Sequence, residues 1–140
     1  MIRAVLDTNV LLSALRSRNG ASFEIVARYR KGEFTLYLSQ TVFCEYQEVL
    51  KREMLPLGLS SAVIDRFISA IASQAVQFRT SAFWKPALPD ADDEALAQLA
   101  TESKIDYLVT HNLRHFPSDR LPAVRVVDPK TFLDILRQSP

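Results

Sequence analysis

The chain has 140 residues, 48% of them hydrophobic, with 17 Lys and Arg against 16 Asp and Glu and one cysteine. A chain this long buries roughly two thirds of its unfolded surface, enough for one core, and Cys44 has no partner for an intramolecular disulfide, so a disulfide scaffold is excluded. The near-neutral charge argues against a general polyanion binder, and no apolar run approaches the roughly 20 residues that cross a bilayer, so no membrane partner is expected.

The charge is uneven. Residues 1–54 and 113–140 each sum to +2 and residues 55–112 to −3. Most of the negative excess is Asp90, Asp92, Asp93 and Glu94, a run that a solvated face explains as well as a site does. Asp7 interrupts the first apolar run, which is unlike a signal peptide, and the expected location is the cytoplasm. With no repeat, linker or low-complexity segment, residues 1–140 are expected to form a single domain.

In chain order, residues 2–6 read as a short apolar strand that ends at Asp7, Thr8 and Asn9, residue types that favour turns and helix caps. A helix carrying Val10, Leu11, Ala14 and Leu15 follows and ends before Asn19-Gly20. Ser22 is expected to cap a second helix with Phe23, Val26 and Ala27 on one face, and Gly32 falls where a helix C′ glycine belongs. Residues 34–38 predict the second strand. Ser39 to Thr41 open a helix striped by Val42, Phe43, Tyr46, Val49 and Leu50, and Ser60 or Ser61 caps the next, striped by Val63, Ile64, Phe67, Ile68 and Ile71. Residues 76–78 form a weak strand candidate. After a proline-containing loop, a helix carries Ala95, Leu96, Leu99 and Ala100, residues 107–110 and 124–127 read as buried strands, and residues around 132–136 close the chain as a helix. Alternating strands and helices predict a three-layer α/β/α fold around a parallel sheet of four or five strands.

Ligands of such sheets bind beyond the carboxyl ends of the strands, where the strand order reverses. Asp7, Thr8 and Asn9 leave one strand end, and Thr110, His111 and Asn112 leave another. Either cluster alone is explained by helix capping; two on neighbouring strands point to a site. Glu45 falls about 60° from Val42 and about 40° from Val49 on the helical wheel, at the border of the buried stripe, whereas Glu48 and Glu53 face further outward. Asp93 lies at the edge of its helix's stripe and Glu94 faces away, while Asp90, Asp92 and Asp93 also suit a helix N-terminus.

Together these residues resemble the PIN-domain nucleases. The segments Val5-Leu6-Asp7-Thr8-Asn9-Val10-Leu11, Pro89-Asp90-Ala91-Asp92-Asp93-Glu94-Ala95-Leu96 and Asp106-Tyr107-Leu108-Val109-Thr110-His111-Asn112-Leu113-Arg114-His115-Phe116-Pro117, with Glu45 between the first two, recur in that family's order. The likeness spans almost the whole chain and is nearest to VapC-like ribonucleases, the toxins of bacterial toxin-antitoxin pairs. It implies a metal-dependent endoribonuclease with Asp7, Glu45 and Asp93 as the core metal-site acids and Thr8 and Asn9 shaping the first loop. Asn112 stands where many members carry a fourth acid. Asp90 is a candidate outer ligand with which Asp92 competes, and Asp93 ranks above both.

Carboxylates held a few ångströms apart raise one another's pKa unless a cation neutralises them. The donors are oxygens without cysteine or clustered histidine, which favours Mg²⁺, with Mn²⁺ as substitute, over zinc. Phosphate contacts are expected from Arg16, Arg18, Arg114 and His115, with Lys51 and Arg52 further away. The resemblance also implies RNA as substrate, a cognate antitoxin as partner and a homodimer.

Other classes fit less well. A haloacid-dehalogenase-like phosphatase needs a second aspartate where Asn9 stands. A receiver domain finds a lysine in Lys130 but no acceptor aspartate among Arg79, Thr80 and Ser81, and gives Glu45 no role. A PIN fold of weak or lost activity, serving as an RNA-binding or scaffold protein, is the alternative that Asn112 leaves open.

Overall fold

The computed structural model describes residues 1–139. Five strands form one parallel sheet: β1 (Arg3–Leu6), β2 (Thr35–Leu38), β3 (Val76–Gln77), β4 (Tyr107–Val109) and β5 (Val126–Val127), in the order β3-β2-β1-β4-β5. Six helices connect and cover them: α1 (Thr8–Arg16), α2 (Ala21–Arg30), α3 (Gln40–Met54), α4 (Ser61–Gln74), α5 (Glu94–Ser103) and α6 (Pro129–Gln138). This is the expected three-layer α/β/α arrangement, with five strands.

Successive strand residues point to opposite faces, so a strand with no exposed position is covered on both. Ala4, Val5 and Leu6 of β1 are all fully buried, which puts β1 at the centre of the core. On the helices, α2 packs against α1 and α6, α3 against α4, and α5 against β1 and β2. Two tyrosines reach across the core with satisfied hydroxyls: Tyr29 donates to the Ile71 carbonyl at 2.7 Å, and Tyr46 donates to the Leu6 carbonyl. The α3–α4 pair is joined further by Lys51 and Asp65, 2.9 Å apart.

The chain moves outward from β1 to β2 and β3, then crosses to the far side of β1 for β4 and β5. The strand order therefore reverses at the β1–β4 pair, whose ends are in register at Leu6 and Val109. The backbone N–H of Asp7 continues that pairing by donating to the Val109 carbonyl at 2.9 Å.

Local differences from the sequence reading have identifiable causes. Ser39 and Ser60 cap α3 and α4 as expected, but Gly20 is the N-cap of α2. Ser22 lies inside α2, buried, with its hydroxyl 3.2 Å from His111 Nε2; a tertiary partner has replaced the local cap. Gly32 takes φ +80° beyond α2, the conformation that suits glycine. The last strand is only Val126–Val127, because Val124 closes a turn onto Leu121 before the ladder begins.

Candidate metal centre

The N-cap position of α1 belongs to Asp7, but its side chain makes no capping hydrogen bond. Its carboxylate turns toward β4. Oδ2 accepts from Thr110 Oγ1 at 2.7 Å and from Asn9 Nδ2 at 3.3 Å, and Asn9 Nδ2 also lies 3.3 Å from Thr110 Oγ1. Asn9 Oδ1 accepts from the His111 backbone N–H at 3.3 Å, and Thr110 Oγ1 accepts from that of Asn112 at 3.0 Å. The loops leaving β1 and β4 are thus one hydrogen-bonded unit. Fully buried Thr110 is its hub, a part that sequence reasoning did not assign to it. The available signal was its position at the end of the strand opposite Asp7.

A cleft of about 350 Å³ opens over this unit, with Asp7, Glu45, Asp92, Asp93, Asn112 and His115 on its walls. Glu45 comes from the second turn of α3, and Asp93 from the short 3₁₀ turn Ala91–Asp93 that leads into α5. Three separate stretches of chain therefore bring acids to one cavity. Burial pushes the Asp7 carboxyl above its ordinary range, against the Thr110 hydrogen bond that pulls it down. Burial also raises Glu45, to about 7, with help from the charges of Asp7, Asp92, Asp93 and Glu48. Asp93 is raised by burial and by Asp7 and Asp90, while His115 opposes the shift.

The arrangement is short of positive charge. Asp93 Oδ2 is buried and has no hydrogen-bond partner. Its nearest cationic group is His115, whose Nδ1 stands 3.1 Å away on a side chain that is 46% exposed against 16% for Asp93. Buried carboxylates without partners are costly unless protonated or matched by a cation. The all-oxygen donor set and the orphaned oxygen fit a hard divalent ion. As they stand, no group of three or more His, Cys, Asp or Glu side chains among the described residues is disposed to hold one.

The other sequence candidates separate. Thr8, Asn9 and Asn112 line the cleft. Asp90 does not; its Oδ1 accepts from the Asp92 backbone N–H at 2.9 Å, capping the 3₁₀ turn, and Asp92 takes the cleft wall instead. Arg16 pairs with Glu53 at 3.8 Å and is absent from the cleft walls, as are Arg18 and Lys51. Arg114 lies beside the cleft, in an adjoining hollow with Asp90 and His115. Arg52 and Glu48, read from sequence as further away or outward, both reach the cleft because they lie one turn apart on the α3 flank that borders it.

Comparison with known proteins follows the same lines. A family model described as PIN domain matches residues 3–114. Among solved structures, the crystal structure of VapBC2 from Rickettsia felis bound to a DNA fragment from their promoter aligns with a TM-score of 0.62 at 15% sequence identity, covering 91% of this chain and 98% of that chain. At that identity the likeness is one of fold. No curated protein matches the chain.

Proposed function

The chain belongs to the PIN domain family, and from that membership and the unneutralised acids of its cleft we propose that it is a metal-dependent endoribonuclease hydrolysing RNA phosphodiester bonds. The observation that carries this reading is the convergence of Asp7, Glu45 and Asp93, each pushed toward protonation, on one cleft at the β1–β4 reversal. Carboxyl groups perturbed by burial and by one another in a cleft are the signature of a candidate functional site.

Asp7, Glu45 and Asp93 would hold Mg²⁺ or Mn²⁺, with Asp92 and Asn112 beside them. Such an ion, when bound, would make a water more acidic for attack and would stabilise the negative charge that develops on the phosphodiester oxygens. Thr110 and Asn9 hold the Asp7 carboxylate in a fixed orientation, which limits its reorganisation. Arg52 and His115, on the cleft walls, are placed to meet the negative backbone of a substrate strand. Asn112 contributes an oxygen without a charge.

The fold likeness to VapBC2 supports reading the chain as the toxin of a type II toxin-antitoxin pair, whose antitoxin would cover the acidic cleft. The partly exposed Leu55, Leu57 and Val63 around the α3–α4 connection support a homodimer. Among the described residues no helix is long and apolar enough to cross a membrane. The second reading, a weakly active or inactive RNA-binding scaffold, is favoured by one observation, the neutral Asn112 on the cleft wall.

The test is cleavage of a mixed RNA pool with and without Mg²⁺ or Mn²⁺, run beside Asp7→Asn and Asp93→Asn. Metal-dependent cleavage absent from both variants is expected. Activity that survives both substitutions would defeat the nuclease reading, and Asn112→Asp separates the scaffold from an enzyme limited by a missing charge.

A further inference from the structure

A second hollow, of about 430 Å³, adjoins the cleft and shares Asp93 and His115 with it. Its remaining walls are Pro89, Asp90 and Ala91 on one side and Arg114 on the other. The two sides come from different loops, the entry to the Ala91–Asp93 turn and the 3₁₀ turn Leu113–His115. Asp90 is held in place, since Oδ1 accepts from the Asp92 N–H at 2.9 Å and its backbone carbonyl accepts from the Asp93 N–H at 3.2 Å. That leaves Oδ2 without an assigned partner. Among the described residues neither Asp90 nor Arg114 forms an ion pair, so each keeps its hydrogen-bonding capacity for a ligand.

A phosphate is a poor occupant, because Asp90 and Asp93 would both repel it. An occupant that suits a wall carrying both a carboxylate and a guanidinium offers N–H donors on one edge and acceptors on another. Of the four RNA bases, guanine alone presents two adjacent N–H donors, at N1 and N2, to a carboxylate, and paired acceptors, O6 and N7, to a guanidinium. Adenine and cytosine offer one exocyclic amine, and uracil one imino group. We propose that this hollow is a guanine-reading subsite flanking the cleft, with Asp90 and Arg114 as its specificity residues and Asp90 outside the metal centre. The proposal rests on the RNA-cleaving reading for its substrate, but it is read out by binding.

The probe is a uridine hexamer carrying one guanosine, inosine or 7-deazaguanosine, titrated against the Asp7→Asn protein. Inosine lacks the N2 amine and 7-deazaguanosine lacks N7. The guanosine hexamer is expected to bind about 25-fold tighter than the all-uridine one, with each analogue losing about fivefold. Adding Asp90→Asn should erase the inosine penalty, and Arg114→Gln the 7-deaza penalty, each leaving the other in place. Asparagine caps as well as aspartate, so Asp90→Asn keeps the turn.

Equal affinity for all four hexamers, or penalties that persist in the variants, would overturn the subsite. So would a tenfold loss of Mn²⁺ affinity in Asp90→Asn, which would return that residue to the metal centre. Cleavage of a random pool without guanine preference removes the subsite and leaves the nuclease standing; guanine-selective binding without any cleavage does the reverse.

Discussion

The two ends of the sheet make an instructive pair. At the amino ends of β1 and β4 lies a hollow of about 770 Å³, more than twice the volume of the cleft at the carboxyl ends. Its charges are largely matched. Asp106 accepts from the Arg3 backbone N–H at 2.8 Å and faces the Arg3 guanidinium at 3.5 Å, while Glu33 pairs with Arg28 at 2.9 Å. At the other end Asp7, Glu45, Glu48, Asp92 and Asp93 face only His115 and Arg52. What sets the two hollows apart is therefore not volume but uncompensated charge, and the proposed chemistry follows the charge. The carboxyl end is also where backbone amides at helix starts and strand-end loops converge, which suits anionic substrates whatever the size of the cavity.

The sharpest way to break this contrast is by substitution at both ends. Asp7→Asn and Asp93→Asn should each lower RNA cleavage at least about a hundredfold, the loss of several kcal/mol of transition-state stabilisation. Asp106→Asn at the amino end should leave the rate unchanged. The site variants should unfold no more easily than the parent, because each removes a carboxylate that burial disfavours. A large stability loss together with the loss of cleavage would show these acids to be structural.

A divalent ion should act at one end only. At about 100 times its Kd, Mg²⁺ is expected to add about 2.7 kcal/mol to the unfolding free energy. Urea denaturation with the ion against chelator measures this. The increment should vanish in Asp93→Asn and persist in Asp106→Asn.

Proton linkage gives opposite signs for two classes of carboxylate. Glu45 has its folded pKa raised from 4.5 to about 7, so its contribution to stability is fully present below 4.5 and is lost as pH rises through about 7. Glu94 and Asp128 are held below their ordinary values, Asp128 by hydrogen bonds from Thr131. Their contributions are present above the unfolded values and lost as pH falls through the folded ones. In chelator, the urea midpoint should therefore decline between about pH 5 and 7.5, and Glu45→Gln should flatten that decline. An unchanged slope in Glu45→Gln would mean that Glu45 is not the group titrating.

The smallest effect concerns the loop of residues 84–88, a strap tied to the start of α5. Glu94 accepts from Trp84 Nε1 at 2.8 Å and from the backbone N–H groups of Ala87 and Leu88 at 2.8 and 2.6 Å. Glu94→Gln keeps the shape and removes the charge, and should cost about 1–2 kcal/mol. Amide exchange at Ala87 and Leu88 should quicken while the amides of β1 keep their protection.

The strap also marks the limit of what residue type encodes. Asp7 was legible because a strand-end aspartate before a helix has few roles, and the two polar clusters did prove to share one sheet edge. Glu94 was read as facing away, which is correct for the helix stripe but silent about a loop folding back on it; backbone N–H partners leave no mark in residue type. Asp90 and Asp92 were inseparable because a helical wheel of 3.6 residues per turn does not apply to a 3₁₀ turn. Ser22 looked like a cap because a serine's local and tertiary hydrogen bonds call for the same residue. Thr110 was visible as part of a cluster, yet its function as the acceptor and donor between two loops depends on the β1–β4 pairing, which only the strand order reveals.

Tyr46 follows Glu45 and Leu6 precedes Asp7, and the hydroxyl of the one is bonded to the carbonyl of the other. That single buried link gauges the span between two acids that repel each other. The width of the cleft is thereby inherited from the seating of α3 on β1 and not negotiated by the side chains that face into it. Different residues at positions 7 and 45 would change what the cleft holds while leaving the gap itself unaltered, so the scaffold behaves as a fixed mount on which the chemistry is interchangeable.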